Sequence, residues 1–349
     1  MDRKTVFVIG AGASKEAGLP TGDELKSKIA KLLDIRFPDR YNQKSGDYII
    51  CDALRHLVKS PDGRSGDINP YLHEAWHVVK AMPQAISIDN FIDTHRHNTK
   101  IAICGKLAIV KSILDAEKHS QLYFEKKRID SGINFDSLKK TWYGSFFQLL
   151  TENCSKDELK ERFRKITLII FNYDRCIEHF LLHALQNYYK FNEAEAAETV
   201  KYINIYHPYG QVGYLPSHQP QSSVGFGEDP DAQKLLTLAN QIKTFAEGTD
   251  PDSSEILEIK EHMAGASHLV FLGFAFHKLN MQLIAPSKAE KEFNVVRCFA
   301  TAYEVSDSNK EQISEQITML YNGRPDVSVK FSSKTCSGFF ADFWRSLAY

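Results

Sequence analysis

Residues 5–10, TVFVIG, carry four apolar side chains, Val6 to Ile9, straight into a glycine, and the pattern recurs along the chain. ITLIIFNYD (166–174), YINIYHPYG (202–210) and HLVFLGFAF (268–276) are also apolar runs that finish in polar residues or glycine. NVVRCFATAYEV (294–305) and DVSVKF (326–331) complete a set of six expected strands. Short unbroken apolar runs are strands buried on both faces, the setting of a parallel sheet covered by helices. Helical patterns fill the intervals. One helix is expected after Pro20 and Thr21, with Asp23 and Glu24 in its first turn, and a short one at 50–59 between loops rich in Pro, Gly and Ser. From about 71 to 165 the pattern is mainly helical, with Ser87 as an N-cap; a further helix lies near 232–246 and an aromatic one closes the chain. Strands alternating with helices specify an α/β protein with a Rossmann-like parallel sheet. We expect a single domain over 1–349, with a helical subdomain inserted at approximately 38–165.

A hydrophobic fraction of 43%, a charged fraction of 25% and a net charge of −1 describe an ordinary globular protein of 349 residues. Such a balance supplies no electrostatic drive toward nucleic acid or an anionic membrane, and no apolar run reaches the length of a membrane span. MDRK leads directly into the first strand, so no secretory leader is expected. The six cysteines form no CxxC pair, which removes the zinc-ribbon and thioredoxin patterns and leaves free thiols, as in a cytoplasmic protein. No metal is expected.

The glycine turn, GAGASKEAGLP, lacks the Gly-Lys-Ser/Thr ending through which a P-loop meets phosphate and magnesium. Gly10 and Gly12 fit the start of a dinucleotide fingerprint, but Lys15 stands where its third glycine belongs, and Gly18 comes three residues late. Two readings follow. The turn either brings main-chain N–H groups up to a pyrophosphate, or it is a ligand-free junction between strand and helix. Asn172 and Asp174 are polar groups at the end of an apolar strand, where either a binding site or a helix cap would use them. His207 stands at a third strand end. His179 and His183 have metal-compatible spacing but no third ligand and no H-E-x-x-H order, so helix packing is the better account. The HRH at 95–97 reads as a solvated helix face. Phe339, Phe340, Phe343 and Trp344 fall at helical spacing, as core or as a subunit interface.

Taken together, GAGASKEAGLP, the Asn-x-Asp of FNYD, the histidine of YHPYG and LVFLGFAF resemble, in order, the NAD-binding elements of the sirtuin family. The resemblance covers roughly 5–25 and 166–305. It implies that Gly10, Ala11, Gly12 and Ser14 bind the NAD pyrophosphate, and that Gly273 and the adjoining Phe274 meet the adenosine ribose. It also implies that Asn172 holds the nicotinamide ribose or a water, that Asp174 organises the pocket, and that His207 is the general base. Departures from the deacylating members bear on the reaction. Thr21-Gly22-Asp23 stand in place of Asp-Phe-Arg, Phe171 in place of a glutamine, and Phe274-Ala275 where a serine is usual. Pro208 and Tyr209 displace a glycine to Gly210, and the zinc cysteines are missing.

That pattern, with SIDNFIDTH at 87–95, is similar to the bacterial sirtuin-like branch that hydrolyses NAD in anti-phage defence. The implied activity is NAD+ glycohydrolysis to nicotinamide and ADP-ribose, with NAD as substrate. The implied partners are further copies of the chain and, in some systems, a ring-shaped DNA-translocating ATPase. The alternatives are a non-catalytic NAD or ADP-ribose sensor and a protein deacylase. The chemistry is reasonable on its own terms: nicotinamide leaves neutral, so the site must hold the ribose, stabilise an oxocarbenium-like centre and accept a proton.

Overall fold

A computed structural model describes residues 3–125, 132–217, 223–243, 245–248, 253–286, 297–321 and 327–348. Six parallel strands form one sheet: β1 (Thr5–Ile9), β2 (Ile166–Ile170), β3 (Asn204–Tyr206), β4 (His268–Leu272), β5 (Arg297–Thr301) and β6 (Ser328–Ser332). Their order is β3-β2-β1-β4-β5-β6. This is the doubly wound, Rossmann-like arrangement, whose topological switch point lies between the two central strands β1 and β4. Each strand is shorter than its apolar run. β2 stops at Ile170, and Phe171 to Asp174 leave the sheet as a loop, which is where the polar residues begin.

Alternation along the strands divides the core into two layers. Val6, Val8, Ile169, Leu269 and Phe271 face one side, against the helices Gly22–Leu33, Tyr48–Leu57, Asn69–Ala81, Ile88–Thr94, Thr99–Lys118, Ala232–Ala239, Ser254–Ala264 and Asp307–Leu320. Phe7, Ile9, Leu168, Ile170, Val270 and Leu272 face the other, against Trp142–Thr151, Leu159–Phe163, Cys176–Tyr189, Glu193–Val200 and Cys336–Ala348. Residues 38–165 therefore divide between the faces, and their helices share the two cores with the sheet. The aromatic tail is core at Phe339 and Phe340, and the ring of Phe340 lies parallel to Trp142 at 6.2 Å.

Local chemistry sets the helix starts. Thr21 and Glu24 form a capping box ahead of Gly22–Leu33, and Ser87 Oγ accepts from Asn90 N at 3.0 Å. The expected helix near 232–246 is interrupted, ending at Ala239 and resuming at Phe245. At the break the Gln241 carbonyl packs on Gly210, whose φ of 70° and lack of a side chain permit the contact; a Cβ there would lie 1.9 Å from that oxygen. All six cysteines are buried free thiols. Among the described residues no helix is long and apolar enough to cross a membrane.

Candidate active site at the carboxyl ends of the central strands

The switch point is built from glycine. Gly273 follows β4 with φ 55°, and a Cβ on it would lie 2.1 Å from Ala13 N. Cβ atoms on Gly10 and Gly12 would come within 2.5 and 2.9 Å of the Gly273 carbonyl oxygen. The two strand-end loops thus meet backbone to backbone, closer than any side chain allows. Gly12 N donates to that carbonyl at 3.0 Å, Gly10 N to Leu272 O at 2.9 Å and Ala13 N to Gly10 O at 3.0 Å. The donors of Gly10 and Gly12 are therefore engaged within the protein, and a bound anion would have to meet other groups of the turn. Ala11, Gly12 and Gly273 stay half-buried at its surface. Lys15, at the position of the missing third glycine, is exposed and paired with Glu24.

A buried polar network joins this turn to β2. Asn172 Nδ2 donates to Gly10 O and Ser14 Oγ, each at 3.0 Å. Its Oδ1 is buried and has no hydrogen-bond partner among the described residues. Asp174 accepts from Cys176 N at 3.0 Å, opening the helix Cys176–Tyr189, and also meets the Ser14 hydroxyl. Burial pushes the Asp174 carboxyl above the usual carboxylate range, against those hydrogen bonds. Asn172 is thus a tie to the glycine turn, while Asp174 does cap the helix that follows. Phe274 turns inward, its ring 5.1 Å from that of Phe171, in a cluster with Phe271 and Phe276.

His207, after β3, lies against the same network. Its Nδ1 is 3.4 Å from Asn172 O, and its Nε2 is 2.7 Å from Glu178 Oε1. Burial acts to lower the His207 pKa, but the Glu178 carboxylate and its hydrogen bond outweigh this and raise it. His207 and Glu178 line a cavity of about 360 Å³ with Arg175, Gly210, Gln211, Tyr214 and other residues. All the residues marked out in the sequence therefore cluster around the ends of β1, β2, β3 and β4, but only His207 lines this cavity. No model of a known protein family matches the chain, and no curated protein matches it.

Glu178, Arg175 and Glu117 escape a motif reading. Glu178 stands four residues after Asp174, so the first helical turn returns it toward the strand ends. Arg175 and Glu117 form a buried ion pair, each within 1% of full burial. Their signal is an ionisable residue set among apolar neighbours, in YDRCI and ILDAEK. SIDNFIDTH also reaches this region: Asp89 accepts from the hydroxyl of Tyr173, between Asn172 and Asp174. His179 stacks on Phe226 with ring centroids 4.0 Å apart and lies 4.6 Å from the ring of His183, so both serve helix packing. Among the described residues no group of three or more His, Cys, Asp or Glu is arranged to hold a metal ion.

Proposed function

We propose that the protein is a sirtuin-like NAD+ glycohydrolase. The observation that carries this reading is the convergence of Gly10, Ser14, Asn172, Asp174 and Gly273 at the switch point, beside the His207–Glu178 pair. Ligands of open α/β sheets bind at that place. The unfilled acceptor at Asn172 Oδ1 fits a hydroxyl donor such as a ribose presents. Cleavage breaks the C1′–N bond, the electron pair goes to the nicotinamide ring, and a water oxygen bonds to C1′. The proton of that water passes to the His207–Glu178 pair, while Asn172 and Asp174 hold the ribose side of the site. No acyl-peptide substrate is needed for these steps, in keeping with Thr21-Gly22-Asp23 where deacylases carry Asp-Phe-Arg.

Depletion of NAD during phage infection would be the physiological outcome. Restraint would come from self-assembly or from a partner ATPase in the cytoplasm. Incubation of the purified protein with NAD, alone and with such a partner, should release nicotinamide and ADP-ribose. Asn172→Ala and His207→Ala should each abolish release while leaving the folded circular-dichroism spectrum intact. Undiminished turnover in both variants would sink the assignment. A second reading, an NAD or ADP-ribose sensor, is favoured by one feature: both ring nitrogens of His207 already have partners. Saturable binding without nicotinamide release under every condition would select it.

A further inference from the structure

The long helix Thr99–Lys118 ends between the two halves of the candidate site. Glu117, fully buried, accepts from Arg175 Nε at 3.1 Å, from a second Arg175 nitrogen and from Gly227 N at 3.0 Å. The rest of the Arg175 guanidinium donates to the carbonyls of Val224 at 2.6 Å, Gly213 at 3.3 Å and Gly225 at 3.2 Å. Those carbonyls come from both arms of one loop, 213–217 and 223–227, whose arms are themselves joined by Val224 N donating to Tyr214 O at 3.0 Å. Gly227 has φ 66°, and a Cβ on it would lie 2.7 Å from Lys118 Cα, so the loop backbone lies against the helix end. Lys118 adds an ion pair to Asp229.

Two residues further on, the same segment reaches the glycine turn. Gln121 N donates to Ala17 O at 3.0 Å and its side-chain amide to Glu16 O at 3.2 Å. The gathered loop supplies Tyr214 and Leu215 to the cavity that His207, Glu178 and Arg175 line. A buried ion pair tends to cost more in desolvation than it returns in attraction, and it is tolerated where every donor and acceptor is satisfied. Arg rather than Lys is needed, because only a planar fork can serve a carboxylate and several carbonyls at once.

We infer that Glu117 and Arg175 are positioning residues of this site: they clamp residues 213–217 and 223–227 as one wall of the cavity. Through the end of the long helix they also hold that wall in register with the glycine turn. The inference rests on the NAD-cleaving reading for its kinetic consequence and on geometry alone for the clamp.

The test uses the full chain with Arg175→Lys, Gly227→Ala and Glu117→Gln, followed by amide hydrogen exchange and by NAD turnover. Glu117→Gln leaves a buried cation and is the variant at risk of not folding; the other two keep the charges in place. Protection at Val224 and Gly227 should fall about tenfold or more while Val8 and Ile169 keep theirs. KM for NAD should rise about tenfold with kcat changed by less than about threefold, the signature of lost positioning of the bound substrate. Unaltered exchange at Val224 and Gly227 in the Arg175→Lys and Gly227→Ala proteins overturns the clamp. Raised exchange with wild-type KM and kcat overturns the positioning role. A wild-type protein that turns over no NAD instead removes the proposed function, and the exchange data still decide the clamp.

Discussion

The two halves of the candidate site solve opposite problems. At the switch point, Gly10, Gly12 and Gly273 are packed backbone on backbone, and their polar groups are largely satisfied within the protein. At the β3 edge the same polar network opens into a cavity bordered by ionisable side chains, His207, Glu178 and Arg175. The first half is a matter of space and the second of charge. Substitutions in the first should therefore be felt as stability, and those in the second as reactivity and pH dependence.

The largest expected effect is steric. Gly273→Ala places a methyl group 2.1 Å from Ala13 N in a left-handed conformation. It should cost about 3 kcal/mol or more in chemical denaturation. A cost under about 1 kcal/mol would show that the two loops are not packed as described.

Next comes the residue that belongs to both halves. Asn172→Ala should lower the rate of nicotinamide release by about a hundredfold or more. Its two lost hydrogen bonds should cost only about 1–3 kcal/mol of stability. If rate and stability fell in proportion instead, Asn172 would be only a tie between loops.

Charge should govern the His207 edge. With His207 taking up the proton in its neutral form, nicotinamide release should rise with pH through a value above the ordinary 6.5, because Glu178 favours the charged imidazole. Glu178→Gln removes that attraction while burial still opposes charge, so the acidic limb should move down by about one pH unit. A limb that stays in place would separate Glu178 from the proton.

A smaller effect is expected far from both halves. His268, at the start of β4, is 1% exposed with neither ring nitrogen hydrogen-bonded, and burial ahead of the charges of Arg3 and Arg297 lowers its pKa to about 4. The unfolded chain then binds this proton more readily, so the contribution of His268 to stability is full above pH 6.5 and declines toward pH 4. His268→Phe should flatten that decline in thermal melts across this range. An unchanged pH profile would mean that the buried ring is not the group being titrated.

The sequence made the sheet legible because apolar runs ending in glycine or polar residues have few other uses. The cluster of Gly10, Ser14, Asn172, Asp174, His207 and Gly273 was legible for the same reason, since strand ends in a parallel sheet are neighbours. What the glycines do locally was not legible. A sequence cannot distinguish a backbone that must approach phosphate from one that must approach Gly273, because both ask for the same absence of a side chain. Glu117 and Arg175 were hidden differently, as partners 58 residues apart whose pairing only the folded chain reveals. Phe274 followed an expected ligand glycine, but its side chain found apolar neighbours, which a ring of its size seeks first.

Glu16 sits within the glycine turn, and its carboxylate accepts from Trp142 N and from Ser337 N at 2.8 Å each, at the starts of two helices. The second donor lies 321 residues further along the chain. The opening turn, among the first parts to leave the ribosome, is thus among the last to be completed, since its final fastener must wait for the aromatic helix. An activity that depends on this turn would be withheld during synthesis, and a chain cut short before that helix would be spared it altogether.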